Sequence, residues 1–431
     1  MFERRGRPSG GKGLSTAVAA AVTVATLAAC GSNVPGSPAA GEIDVRTLDV
    51  GNYPTDPFDV RSTESHSVYT GSVLAIARLA DAMALGTDVD PILVYGDMGG
   101  DVVSPASGME VLSKVVRPVL ARNGMLLAVT TASSSKPLPT THSYDLSDNF
   151  KPFGDVNGIP DSAALNITVL QFPDQQRAQA AAEQMEAADF DVAPDQNAHL
   201  SLTGYPEAKS HWRPGVPSMA ATLARGQYVM NVFAQLPNPD IDGLKSLVEK
   251  AFAAQIPLLD KLPPLSARDM LRLDYDPDGM LRRTLHPKDY LSLSAKQEIV
   301  HGARGYLQFI ADRAPWKKLF EEHGVDRIST ASTGAQLMRA RDEQSATALW
   351  TGIKPLQPGR ADAAPGVPDV FCGENPTPSK DNYGAAWDSK NRYYCTLRYG
   401  RYVARVASSQ LPDLHQRAAA QYTLLAKSQY L

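Results

Sequence analysis

Hydrophobic positions along this chain switch between two periods. Residues 72–83, "SVLAIARLADAM", carry apolar side chains at helical spacing. "VLSKVVRPVLARNG" follows as a second helical stretch that stops at Gly124. "MLLAVTTAS" and "ALNITVLQF" are β-branched apolar runs and predict strands. Asp174 stands where an N-cap belongs, ahead of the strong helix former "QQRAQAAAEQMEAADF". "SMAATLARGQYVMNVFAQL" predicts two strands joined at Arg225-Gly226, and "PDIDGLKSLVEKAFAAQIPLL" predicts an amphipathic helix. The later half repeats this order. It has helical "SAKQEIVHGARGYLQFIADRA" and "PWKKLFEEHG", strands over 327–341, and a helix from Asp342. Strands around 393–397 and 402–408 and a closing helix, "DLHQRAAAQYTLLAKS", complete it.

The repetition extends to residue identity. "TLARGQYVMNVFAQLP" (222–237) and "TLRYGRYVARVASSQLP" (396–412) share Thr-Leu, Gly-x-Tyr-Val-x-x-Val and Leu-Pro. Upstream, "PDQQRA" (173–178) pairs with "RDEQSA" (341–346), and "ARNGMLLAVTTAS" (121–133) with "EEHGVDRISTAS" (321–332). Three blocks in one order at similar spacing indicate a duplication. The expectation is an α+β protein with two related copies of an α-α-β-β-α-β-β-α unit, each an antiparallel sheet covered by helices. The first copy spans 43–262, a linker 263–290, and the second copy 291–431. Each copy carries one long polar excursion, 134–161 and 355–392, of the kind that is either functional or unstructured.

The N-terminus has a different character. Arg4, Arg5, Arg7 and Lys12 face only Glu3, and an apolar stretch runs over 14–29. It is too short and too rich in Ala and Thr to span a bilayer, and it reads as a signal peptide over 1–29. Its end, "LAAC", resembles the lipobox of bacterial lipoproteins. In that family the cysteine thiol takes a diacylglyceryl group and a dedicated peptidase cuts before it, which makes Cys30 the lipid-attachment residue. Each buried methylene contributes ~0.8 kcal/mol, so two or more acyl chains hold firmly. Residues 30–42, rich in Gly, Ser and Pro, read as a flexible tether.

Composition narrows the function. At 43% hydrophobic residues over 431, the chain can build two real cores. Its formal charge is −4, with a basic leader, so the remainder is more acidic still. No basic patch follows the leader, which argues against nucleic acid as a partner. With Cys30 acylated, Cys372 and Cys395 remain, and an even pair in an exported chain reads as a disulfide. Separate thiols or half of a metal site are the other readings, and no CxxC or neighbouring His cluster supports the second.

The lipobox, "LDVGNYPT" (48–55), "ARLADAM" leading into "DVDP" (88–91), and the two-copy layout resemble a family of actinobacterial cell-envelope lipoproteins found in mycobacteria and their relatives. The resemblance implies a two-domain protein anchored on the outer face of the cell membrane. It implies no catalytic residue.

Candidate chemistry is sparse. "DYDPDG" (274–279) opens like a calcium loop, but the twelfth position is Leu285 where a bidentate Glu belongs, so it reads as a solvated acidic turn. Ser72 reads as a helix cap, since no GxSxG occurs. "YGDMGGD" (95–101) lacks the residues of a phosphate loop and reads as a flexible turn. His211 leads into a Pro-Gly turn, and His301 is placed on a helix in a surface or packing role. Tyr383, Trp387, Tyr393, Tyr394, Tyr399 and Tyr402 crowd the second copy, where they could form a sugar or lipid face. No metal, cofactor or catalytic residue is expected. The leading expectation is a membrane-anchored envelope lipoprotein that binds a lipid, a glycan or a partner protein without catalysis. Its alternatives are an envelope hydrolase with residues assembled only by the fold, and a structural or assembly lipoprotein.

Overall fold

A computed structural model describes residues 43–62, 66–102, 104–105, 112–137, 161–286, 298–331, 334–357, 359–375 and 391–431. Cys30, the leader, the tether, Tyr383 and Trp387 lie outside these. The chain divides into Met1–Asp44, of which only two residues are described, and Val45–Leu431, which holds both copies.

The first copy contains α1 (Val68–Ala80), α2 (Gly86–Val89), β1 (Tyr95–Val102), α3 (Arg117–Arg122), β2 (Leu127–Ser134) and β3 (Ala164–Gln171). It continues with α4 (Gln175–Phe190), β4 (Ala198–Leu200), β5 (Lys209–Trp212), β6 (Ser218–Arg225), β7 (Tyr228–Gln235) and α5 (Ile241–Leu259). After the short α6 (Ala267–Met270), the second copy runs β8 (Ile299–His301), α7 (Ala303–Leu307), α8 (Arg313–His323), β9 (Arg327–Ala331), β10 (Ala335–Arg339) and α9 (Glu343–Ile353). It closes with β11 (Val370–Glu374), β12 (Tyr393–Tyr399), β13 (Tyr402–Ser408) and α10 (Leu411–Lys427).

Two antiparallel sheets result. The first has the order β1-β2-β3-β7-β6-β5-β4 and the second β8-β9-β10-β13-β12-β11. The orders match strand for strand, with β4 as an addition to the first. The fold is α+β with two related copies, as the repeated blocks imply. One face of the first sheet packs on α3 and α4 through Leu120, Phe172, Ala181, Met185 and Val229. The same face of the second packs on α8 and α9 through Phe320, Ile328, Met338, Leu349 and Val403. On the opposite faces α5 lies on β6 and β7, and α10 on β12 and β13. Helices on both faces explain why the central strands read as continuous apolar runs.

The shared residues of the blocks are local geometry. Asp174 accepts from the Arg177 amide at 2.8 Å and Asp342 from the Ser345 amide at 2.7 Å, so both are N-caps. Gly226 and Gly400 open two-residue hairpin loops with φ of +56° and +52°. A Cβ at either meets nothing within 4 Å, so a substitution meets only the conformational cost. Gly226→Ala and Gly400→Ala should each lose about 1 kcal/mol in urea denaturation. Unchanged midpoints would show that these loops do not hold their left-handed backbone.

Several local expectations are corrected. "YGDMGGD" is not a turn but the edge strand β1. Its main chain pairs with β2, with a register shift between Met98 and Gly100, and main-chain pairing needs no β-forming side chains. Ser72 does not cap α1. Ser67 does so, in a capping box with Thr70, while Ser72 sits one turn inside and donates to the Val68 carbonyl at 2.9 Å. The helix expected over 294–314 is broken, over its described part from 298 on, into β8, α7 and the start of α8, and His301 is buried on the strand. The break arises because Asp81, at the end of α1, accepts the Gly302 and Gly305 amides at 2.9 and 2.8 Å. The "RPVLAR" helix spans only Arg117–Arg122, with Pro118 in its first turn, where proline is tolerated.

The segment expected to link the copies is folded as far as His286. Tyr275, Met280, Leu281 and Leu285 are buried in it. "DYDPDG" is solvated only in part, since Asp274 and Asp278 are exposed but Asp276 is not. Asp276 is fully buried and accepts the Leu281 and Arg282 amides at 2.5 and 3.1 Å, while burial pushes its carboxyl above the ordinary range. Asp274 takes the fork of Arg61, and Asp278 accepts from Arg327 and Arg339, each at 3.0 Å. The carboxylates that resemble a calcium loop are matched by amides and arginines instead. Residues 45–62 strap the second copy: Tyr53 bonds Asp413 of α10, Arg417 donates to Tyr53 at 3.1 Å, and Lys427 meets Asp56 at 3.0 Å.

Candidate functional site

The strand registers align the copies residue by residue. With Gly226 matched to Gly400, Ala224 falls on Arg398 and Thr222 on Thr396. Thr222 pairs with Lys209 and Thr396 with Phe371, which sets Lys209 against Phe371 and Glu207 against Asp369. The N-caps Asp174 and Asp342 set Gln175 against Glu343 and Ala182 against Trp350.

In the second copy these side chains fill the space between α9 and β12. Trp350 packs on Phe371 with ring centroids 5.6 Å apart, and its Nε1 donates to the Thr396 carbonyl at 3.2 Å. The Lys354 ammonium lies 3.5 Å above the indole, a cation–π contact. Arg398 crosses the remaining gap, donating to Glu343 at 3.0 Å and to Asp369 at 2.5 Å. Two acceptors on different elements suit a planar guanidinium.

In the first copy the two central positions are alanine. A groove of about 260 Å³ opens over Ala182 and Ala224, rimmed by Gln175, Gln179, Glu183, Glu207, Lys209 and Thr222. Among the described residues no ion pair engages Glu183, Glu207 or Lys209. The groove floor is held by a polar row across the sheet. Thr130 and Thr168 share a hydrogen bond at 2.8 Å, and Asn231 donates to Thr222 at 2.9 Å. The second copy repeats the row as Thr330, Gln336, Arg405 and Thr396, with Arg405 buried against the Trp316 ring. The arrangement can bind a polar or charged ligand at its rim and a flat group on its small floor.

The other candidates lie elsewhere. His211 bonds Glu186 at 2.7 Å near the end of α4, which holds its imidazole above the ordinary histidine range, and Trp212 closes the adjacent turn onto the Val216 carbonyl. Cys372 and Cys395 face each other across β11 and β12 and are bonded. Ser210 and Ala221 occupy the equivalent positions in the first copy. A cross-link over a separation of 23 residues stabilises by ~3 kcal/mol on chain-entropy grounds. Among the described residues the tyrosines do not form one surface, because a strand alternates its faces. Tyr399 packs edge-on against Tyr422 of α10, while Tyr394 is buried on the opposite side. Among the described residues no group of side chains could hold a metal ion, and no helix is long and apolar enough to cross a membrane.

The groove residues are within reach of the repeat. "TLARG" over "TLRYG" sets Ala224 against Arg398, and carrying "PDQQRA" over "RDEQSA" four residues further reaches Ala182 and Trp350. Sequence alone does not say that these positions face one space.

Comparisons with known proteins bear on the family. The DUF7373 N-terminal domain of unknown function matches residues 62–275, and the DUF7373 C-terminal domain of unknown function matches 280–428. No curated protein matches the chain. Among solved structures, the extracellular domain of PknH from Mycobacterium tuberculosis aligns at 13% identity with a TM-score of 0.27, covering 42% of this chain and 94% of that one. A likeness that slight supports no argument. With its two halves matched in order by the two domains, the chain belongs to the DUF7373 family.

Proposed function

We propose that this protein is an envelope lipoprotein of the actinobacterial type, held on the outer face of the membrane by lipid on Cys30, and that it binds a ligand non-catalytically through its first copy. The difference between the copies carries the reading. One scaffold occurs twice, closed in the second copy by its own Trp350 and Arg398 and open in the first over Ala182 and Ala224. A duplicated unit whose second site is filled from within leaves the first for a molecule from outside. The rim of amides, carboxylates and one ammonium favours a polar ligand over an acyl chain. The basic leader, the short apolar stretch and "LAAC" support the anchor.

Native mass spectrometry of the protein purified from its own envelope tests this. A bound mass or a co-purifying protein, on a chain that carries fatty acid at Cys30, is the expected result. A bare polypeptide mass, with neither acyl group nor ligand, contradicts it.

A further inference from the structure

We propose that the groove of the first copy takes a polypeptide segment presenting an aromatic ring and an arginine guanidinium. The inference rests on the non-catalytic binding proposed for this copy and adds the chemistry of the ligand. The second copy displays the occupant that this scaffold accepts: an indole against β11, and a guanidinium held between the start of α9 and the residue before β11. The first copy lacks both side chains and keeps their receptors. Glu207 stands where Asp369 stands, and Gln175 where Glu343 stands. Thr222 occupies the position of Thr396, whose main-chain carbonyl accepts the indole N–H in the second copy.

Charge points the same way. Glu183 and Glu207 are exposed and engage no ion pair among the described residues; the Arg225 guanidinium, forked onto Asp260, acts on Glu207 only at longer range, so an incoming guanidinium displaces no paired cation. Lys209 does not oppose this. In the second copy a cation lies over the ring, supplied by Lys354. The matching helix position in the first copy is Glu186, which is engaged by His211. Lys209, from the strand, is then the cation beside the ring position, with its methylene stem as an apolar wall in place of Phe371. A neutral oligosaccharide offers no cation for Glu207. A ring and a guanidinium in one ligand are polypeptide chemistry.

The test uses the full lipidated protein in detergent and titrates two peptides by calorimetry, acetyl-Trp-Gly-Arg-amide and acetyl-Trp-Gly-Glu-amide. The arginine peptide should bind saturably and the glutamate peptide at least about tenfold more weakly. Glu207→Gln, an exposed change that leaves packing untouched, should weaken the arginine peptide about tenfold, and added salt should weaken it further. The double variant Ala182→Trp/Ala224→Arg should abolish binding. Equal binding of both peptides, or undiminished binding to the double variant, overturns the proposal. A mass carried from the envelope that a neutral hexasaccharide displaces and the arginine peptide does not overturns the peptide while leaving the groove as a binding site. A protein that is bare from the envelope and binds neither probe overturns both readings.

Discussion

Arg313→Ala should cost about 3–5 kcal/mol in chemical denaturation, several times the loss expected at either hairpin glycine. Among the described residues Arg313 is the largest side chain buried completely. It belongs to the second copy but donates to Ser133 Oγ in the first at 3.0 Å, and to the Gln308 carbonyl at 3.1 Å. Its guanidinium occupies space left by Gly96, where any Cβ would overlap it. Around it the main chains meet directly, with the Gly96 amide donating to Ala311 at 2.9 Å. Truncation therefore leaves a cavity and dries out the Ser133 and Gln308 acceptors at the seam between copies. Arg313→Lys should recover only part of the loss, because an ammonium does not reach both acceptors as a fork does. Gly96→Val should be destabilising by overlap, and in an Arg313→Ala background it should be tolerated better than alone. An Arg313→Ala protein within about 1 kcal/mol of the parent would show that the seam is held by its main-chain contacts.

Acid should weaken the fold through His286. Burial pushes this imidazole down to about 4, while its Nε2 bonds the Leu281 carbonyl at 2.9 Å. The folded value lies below the ordinary 6.5, so protons bind the unfolded chain more readily. The stability owed to the neutral ring is complete above pH 6.5 and is lost as pH falls from 6.5 towards 4. That loss comes to about 3 kcal/mol. Asp81 and Asp276 act in the opposite sense. Burial raises both carboxyls, so protonation favours the fold, and they return stability as pH falls through their raised values. The difference between the parent and His286→Gln isolates the histidine. Unfolding free energies of the two should converge by about 3 kcal/mol between about pH 7 and pH 4. Parallel pH profiles would place His286 in contact with water.

What can be read from sequence follows from how local its cause is. Asp174 and Asp342 cap helices, and Gly226 and Gly400 turn hairpins, within a few residues of themselves, so their repetition exposes the duplication and the α+β class. β1 and β8 are hidden in the sequence because partners far along the chain create them. Main-chain pairing with β2 makes a strand of "YGDMGGD", and Asp81, more than two hundred residues upstream, stops a helix at Gly302. The joining segment resembles a linker because its acidic residues look unpaired until Arg61, Arg327 and Arg339 arrive from elsewhere. The groove is visible as aligned pairs and invisible as a space, since Ala182 becomes informative only once Ala224 is known to lie across from it.

On the proposed reading, one copy of the duplicated scaffold is open for a ligand and the other is closed by its own side chains. The most direct test compares, by native mass spectrometry from the same envelope, the parent protein and the Ala182→Trp/Ala224→Arg variant. A bound mass or partner is expected on the parent and none on the variant, with both chains folded and both retained on the membrane. A variant that keeps the bound mass would contradict it.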